Sequence, residues 1–493
     1  SLEGAGGEAG EIVVEGDADV VRVSGDTVSF RAESIRLAPG STSEDLVRRV
    51  PGITIENGQV NVRGERVSRV TVDGQDFFGN DALTTLQSLP ADLIRDVQVL
   101  DQASEQSRFT GFDDGNRERS INLVTRPDRR RGVFGRLSAG GSVEERYIVD
   151  GAVNLFRGNQ RSGVTFLTNN VNQQQFAFED LAASGSFEAF RGGGGGGLST
   201  GGGGMRVRFG PGGFGVATDG EVATHGLGLT YSNRTAKGVQ LSLSATGLAS
   251  IAHANSLSQS LYNSSSPVRS FASDSSVART LNQNVRVQGR LEMPFSERTQ
   301  LTLTTRLNAQ NSDSDQSLAS LVLGPSASLL SQALNANTNG STGYAGLANA
   351  LLRHRLGKPG RTISANLALG YNQSNGDRTT DSDARYGRTG LADSLVLDAR
   401  RITTDAQGLS YSATLAYTEP LARNTQLQLT LNPSANWNTS NQDARRLDPT
   451  TLADLGPYPR YENDVDQSVN RVRGGAQVQT RWGSGWRFTV GLD

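Results

Sequence analysis

From Val133 onward, apolar and polar residues alternate with a period of two, and the alternation recurs in separate blocks. Val239, Leu241, Leu243 and Ala245 alternate with Gln240, Ser242, Ser244 and Thr246, and Leu301, Leu303, Thr305 and Leu307 alternate with Thr302, Thr304, Arg306 and Asn308. Ile363, Ala365, Leu367, Leu369 and Tyr371 share one face, as do Leu409, Tyr411, Ala413, Leu415 and Tyr417, and then Leu427, Leu429 and Leu431. Successive side chains of a strand point to opposite faces, so each block predicts a strand with one apolar and one polar face. Each block is about as long as the roughly 9–11 residues that a tilted strand needs to cross a bilayer.

The connections alternate in length. Short ones fall at Arg157–Arg161, Thr235–Lys237, Pro294–Arg298, Gly357–Arg361, Glu419–Asn424 and Gly483–Gly485. Long polar stretches lie near 171–224, 249–282, 311–341, 374–407 and 439–469, and only the turn at Ser142–Glu145 breaks the trend. A soluble sandwich has no reason to alternate in this way, whereas an outer-membrane barrel has short periplasmic turns and long external loops. The pattern predicts about thirteen strands, the last at Trp486–Asp493. Single-chain bacterial barrels have an even strand number, and open edges in lipid leave amides unpaired, so the barrel is expected to continue beyond Asp493.

The front of the chain reads differently, as a small α+β domain. Val21–Val23 and Val28–Phe30 flank a Gly25–Asp26 turn, and Ile53–Ile55 and Val60–Val62 flank Asn57–Gly58, both hairpin signatures. Ser41-Thr42-Ser43-Glu44 reads as a capping box opening a short helix with Leu46, Val47 and Val50 on its apolar side, closed by Pro51–Gly52. Val67–Val72 runs into an Asp73–Gly74 turn, a helical stretch at Leu83–Leu89 precedes Pro90, and strands follow at Val97–Val99 and Ile121–Thr125. The expected division is a tail over 1–18, a domain over 19–126, a basic linker over 127–132 and barrel strands over 133–493, with a Gly-rich loop at 171–224.

The order Pro51-Gly52-Ile53, Val62-Arg63-Gly64, Val70-Thr71-Val72-Asp73-Gly74, Leu89-Pro90-Ala91-Asp92-Leu93-Ile94-Arg95-Asp96-Val97 and Ile121-Asn122-Leu123-Val124-Thr125 resembles the plug domain of TonB-dependent outer-membrane receptors. Pro51, Gly52, Arg63, Gly64, Asp73, Gly74, Asn122 and Thr125 carry the motif. Between Val99 and Ile121 the chain departs from the commonest version and resembles a divergent branch. The resemblance implies a mainly β protein: a plug followed by an antiparallel transmembrane barrel, with the plug facing the periplasm and the long loops outside.

Composition excludes several other readings. Net charge is −2, so no basic excess points to nucleic acid. Hydrophobic residues make up 35% and glycine numbers 59 among 493 residues, which suits one-sided strands joined by polar loops. Cysteine is absent, and no apolar run is long enough for a membrane-spanning helix. The runs Gly192–Gly197 and Gly201–Gly204 lack the Gly-Lys-Ser/Thr ending of a phosphate loop. Asp313 with Asp315, and Asp113, Asp114 and Glu118, lack calcium-loop spacing, and His225, His253 and His354 lack metal-ligand spacing. No catalytic residue, cofactor or metal is expected.

Two sets of residues invite a functional reading. Arg286, Arg290 and Arg306 fall on the polar face of their strands, where they would line a hydrated lumen and meet the plug. Glu11, Ile12, Val13 and Val14 look like a TonB box, an extended β-branched segment able to add as a strand to a partner's sheet edge; the other reading is that they form the first strand of the plug. The implied partners are outer-membrane lipid, the TonB inner-membrane complex and an external solute. The function expected is plug-gated, energy-coupled uptake, with a non-transporting structural, adhesive or secretion-associated barrel as the alternative.

Overall fold

The computed structural model describes residues 21–56, 59–79, 81–113, 117–172, 220–263, 269–324, 328–387, 393–482 and 486–492. The first part of the chain gives β1 (Val21–Ser24), β2 (Thr27–Arg31), α1 (Ser43–Arg48), β3 (Ile53–Glu56), β4 (Gln59–Val62), β5 (Glu65–Arg66), β6 (Arg69–Val72), β7 (Gln75–Asp76), α2 (Ala82–Ser88), β8 (Ile94–Ala103), α3 (Glu105–Thr110) and β9 (Arg117–Thr125). Their main sheet runs β1-β2-β8-β9-β6-β7, with β3-β4-β5 as a separate small sheet. Pairing is antiparallel except between β6 and β9, where Val70 stands opposite Ile121 in a parallel ladder.

Alternation sets which residues go inside. In β3, Ile53 and Ile55 are buried while Thr54 and Glu56 are exposed, and in β6 Val70 and Val72 are fully covered. These join Leu46 and Val47 of α1 and Leu83 and Leu86 of α2 in one apolar core, to which the described residues after β9 contribute a single buried member, Phe156. The turns follow their sequences. Asp73 and Gly74 have φ of 46° and 74°, and Arg63 and Gly64 have 50° and 81°, the two consecutive positive φ angles that a tight I′ hairpin requires. Asn57 and Gly58 lie outside the described residues.

The capping box sits one residue later than expected. Thr42 is the N-cap, its hydroxyl accepting from Asp45 N–H while Asp45 accepts from Thr42 N–H. Glu44 is drawn away instead: it pairs with Arg48 one turn on and accepts from Gln87 of α2.

After a basic connection the chain forms β10 (Arg131–Gly141), β11 (Tyr147–Arg157), β12 (Gln160–Asn169), β13 (Glu221–Arg234), β14 (Gln240–Asn263), β15 (Arg269–Pro294), β16 (Thr299–Leu323), β17 (Leu329–Arg355), β18 (Thr362–Tyr386), β19 (Ser394–Ala422), β20 (Thr425–Leu447), β21 (Asp454–Pro457), β22 (Asn463–Trp482) and β23 (Trp486–Leu492). Thirteen of these make one antiparallel meander in chain order, and β21 is a short side pairing on β20. The structure is thus a small α+β domain followed by barrel-type antiparallel strands.

One expectation is corrected. The polar stretches at 249–282, 311–341, 374–407 and 439–469 are largely strand, not loop: β14 to β20 each run for 23–29 residues. A ladder of backbone hydrogen bonds does not need apolar side chains once it leaves the apolar band, so pairing continues where the hydrophobic alternation stops. The Gly-rich stretch over 173–219 lies outside the described residues.

The outward face carries that band. Across neighbouring strands Val287, Leu307, Tyr371, Leu409 and Trp437 lie on one register row, joined through Gly346, and each is 38–52% exposed. Further along β16 the outward positions become Asp313, Asp315 and Ser317. The opposite face buries polar groups instead, among them Thr302, Ser364, Thr418 and Gln428.

Candidate functional site between the N-terminal domain and the strand wall

The α+β domain rests against the inner face of the sheet through its β6–β7 turn, α2 and α3. One corner is apolar, where Phe77 meets Phe156 edge-on at 6.0 Å and Phe156 meets Phe134 at 5.8 Å, and the Phe109 ring lies under Arg353 and Arg355 of the wall at 5.5 and 5.1 Å. Elsewhere the contacts are polar. Asn154 donates to the Ser88 carbonyl (2.7 Å), Thr230 to the Phe77 carbonyl (2.9 Å) and Gln106 to the Ser364 hydroxyl (2.7 Å).

Two ionic clusters dominate. In the first, Arg161 of β12 is almost fully buried and donates to the Val72 carbonyl (2.6 Å) and to Asp73 Oδ2 (2.7 Å). Asp73 also accepts from Thr125 N–H (2.8 Å) and from its hydroxyl (2.6 Å). In the second, Glu105 at the start of α3 accepts from Arg290 of β15 (2.7 Å), with Arg353 of β17 at 3.6 Å and Arg69 of β6 at 3.8 Å. Asp76 lies 3.6 Å from Arg69 and 3.7 Å from Arg290. Burial pushes the Asp76 carboxyl upward despite Arg69 and Arg290 beside it. Burial also acts to raise Glu105, but the arginines, Arg290 foremost, outweigh it and hold Glu105 below its ordinary value.

Around the second cluster a cavity of about 520 Å³ separates domain and wall, lined by Asp76, Glu105, Ser244, Gln288, Arg290 and Arg306 among others. Gly79 (φ +60°) borders it so closely that a Cβ there would stand 2.4 Å from Gln288 Oε1. The arrangement holds one domain against a wall through ion pairs and hydrogen bonds.

The residues singled out in the sequence fall in several places. Pro51, Gly52, Arg63 and Gly64 meet at one hairpin, where Arg63 N–H donates to the Gly52 carbonyl (2.8 Å). Asn122 accepts from Gly74 N–H (2.8 Å) and joins Asp73, Gly74 and Thr125 in a second group, the one that reaches the wall through Arg161. Arg290 and Arg306 line the cavity and Arg286 is buried on the same strand as Arg290. Glu11, Ile12, Val13 and Val14 lie outside the described residues. Sequence reasoning missed Glu105, Asp76, Arg161 and Arg353. Arg161 and Arg353 each fall in or beside a short connection, so neither was read as facing inward; their only signal is the parity of their positions.

Residues 19–110 match the family model described as TonB-dependent Receptor Plug Domain. The N-terminal domain is a plug. No curated relative matches the chain in sequence. Solved structures similar to it include the siderophore receptor PiuA from Acinetobacter baumannii (13% identity, 92% of this chain and 62% of that one, TM-score 0.34), the ferric-catecholate import receptor Fiu from E. coli (12%, 94% and 64%, 0.37) and BauA, the ferric preacinetobactin receptor from Acinetobacter baumannii (12%, 94% and 63%, 0.36). The chain spans 62–64% of the length of these three receptors. Asp73, Asp76 and Glu105 are therefore plug residues facing arginines of the wall.

Proposed function

We propose that the chain supplies the plug and the first strands of an outer-membrane transporter that takes up a solute through its barrel when TonB pulls on the N-terminal segment. The observation that carries this reading is the polar seam between plug and wall. An apolar seam would fuse the two into one core, whereas Arg290–Glu105 and Arg161–Asp73 can be exchanged for water as a channel opens. The outward apolar row from Val287 to Trp437 supports a lipid-facing surface, and the long strand extensions support an external vestibule. On this reading the plug faces the periplasm and Glu11–Val14 adds as a strand to TonB.

The test uses Ser244→Cys in the full natural protein. Ser244 is buried on the wall beside Gly79 of the plug. Labelling of this cysteine by a membrane-impermeant maleimide should rise in energised cells and fall to background when a protonophore is added or TonB is removed. Labelling that ignores both treatments favours the non-transporting barrel.

A further inference from the structure

A second cavity, of about 610 Å³, lies at the end of the sheet where the turns are short. It is an open recess bordered by the Asp73–Gln75 segment of the plug, the linker Pro127–Arg131, the Gly158–Asn159 turn and the end of β13. Four guanidinium groups line it, from Arg130, Arg131, Arg161 and Arg234. The two carboxylates present are engaged: Asp73 with Arg161 and Thr125, and Asp128 with Arg129 at 3.5 Å. Among the described residues Arg130, Arg131 and Arg234 make no ion pair, and Arg234 is held by a neutral group, the amide oxygen of Gln240 (2.7 Å). Arg161 is 4% exposed and its Nε is buried without an acceptor. Arg130, Arg131 and Arg234 are exposed at the mouth of the recess, so three guanidinium groups without an ion pair among the described residues stand open to an incoming anion.

The surroundings say which anion. The chain has only two lysines, Lys237 and Lys358, and both fall in turns at this same end, as do Arg298 and Arg423; Glu297 and Glu419 stand there too, Glu419 paired with Lys358 and Arg361, which leaves cations in excess. The connections at the opposite end of the sheet carry Glu144, Glu145, Asp393, Asp448 and Glu462 against Arg146 and Arg460. A belt of cations along one rim, next to an apolar outward face, is complementary to a layer of phosphate-bearing headgroups.

We propose that the cavity receives the phosphate of an anionic phospholipid from the periplasmic leaflet, gripped by Arg130, Arg131 and Arg234 at the seam between plug and barrel. Arginine suits the role because its planar fork matches a phosphate bidentately. A lipid seated there touches both the plug turn and the wall and so ties the resting plug to the membrane rim. The site rests on the outer-membrane reading but not on transport: a failure of energised labelling at Ser244→Cys would remove transport and leave lipid retention untouched.

The experiment reconstitutes the full natural protein in nanodiscs of phosphatidylcholine and phosphatidylglycerol, and counts retained lipid by native mass spectrometry. Wild type should retain phosphatidylglycerol over phosphatidylcholine. Arg130→Gln and Arg234→Gln should each lower that retention about fivefold, while Arg446→Gln, at the opposite end of β20, should leave it unchanged. Retention equal in variants and wild type, or equal for both lipids, overturns the proposal. Displacement by inorganic phosphate at low concentration reassigns the cavity to a free anion and overturns the lipid source. Heat-modifiable gel mobility reports folding. If either variant fails to fold, a salt titration of wild type decides: retention should fall steeply with ionic strength, and salt-independent retention overturns the site.

Discussion

Arg161 Nη2 stands 2.7 Å from Asp73 Oδ2, joining a turn of the plug to the third strand of the barrel wall after it. Arg161 is almost wholly buried, and the same carboxylate holds both donors of Thr125. Asp73→Asn leaves a buried guanidinium without its counter-charge, a change that costs about 3–5 kcal/mol when the pair is inside. Thermal unfolding of the full protein should show this loss, and Asp73→Asn with Arg161→Met together should cost less than Asp73→Asn alone. A double variant as unstable as the sum of its singles would mean that the two residues act independently.

The strand parity makes a second prediction. Leu303 and Leu367 are exposed on the outward face, and Thr304 and Asn366 alternate with them on the inner one. Leu303→Arg should destabilise the barrel in lipid by about 2–4 kcal/mol, and Thr304→Arg far less. Reversible unfolding in bilayers measures both, and equal costs on the two faces would contradict the assignment.

A third prediction concerns pH. Arg290, Arg69 and Arg353 keep Glu105 ionised below its ordinary value of 4.5. A carboxyl with a depressed folded value contributes stability above its unfolded value, lost as pH falls through the folded one. Asp76 has the opposite sign: its raised value means that the cost of its buried charge is relieved as pH falls through that value. Plug docking should therefore hold, or tighten slightly, as the medium is acidified toward 4.5 and loosen only below that. Ser244→Cys accessibility in purified protein follows this directly, and Glu105→Gln should abolish the acid-side loosening. Loosening that begins above 4.5 would assign the effect to another group.

The plug should fold alone. Its apolar core is complete between Ala32 and Leu123 except for Phe156. Asp19–Thr125 expressed by itself should give dispersed NMR spectra and a cooperative melt, somewhat less stable than in the whole protein because the Phe77–Phe156 contact is missing. A non-cooperative melt would place part of the core in the barrel.

Val13→Pro tests the energy-coupling segment. Proline removes the N–H that a strand added to TonB would donate, and restricts Ile12 before it. Energised labelling of Ser244→Cys should vanish while the amount of folded barrel stays constant, and Val13→Ala should be milder. A drop in folded barrel instead would make Glu11–Val14 a structural strand of the plug.

How much of this was legible beforehand depends on the range of the interaction. The strands of the wall, their count and the outward side of Leu303 or Leu367 follow from the period-two alternation, because the pleat fixes side-chain parity locally. The turn at Asp73–Gly74 was readable for the same reason, since positive φ is a property of a few adjacent residues; the same conformation at Arg63–Gly64 was not read as a turn. The capping box was misplaced by one residue because Thr42 with Asp45 and Ser41 with Glu44 fit the same spacing, and only the fold brings Arg48 and Gln87 to Glu44. The strand extensions beyond the apolar band left no periodic trace, since backbone pairing holds them and composition does not record it. The seam was the least legible part. Glu105, Arg290 and Arg353 are separated by 185 and 248 positions along the chain, and their contact exists only because three strands and a short helix converge on one side of the sheet. Sequence determined which faces are apolar; tertiary structure alone decided which charges meet.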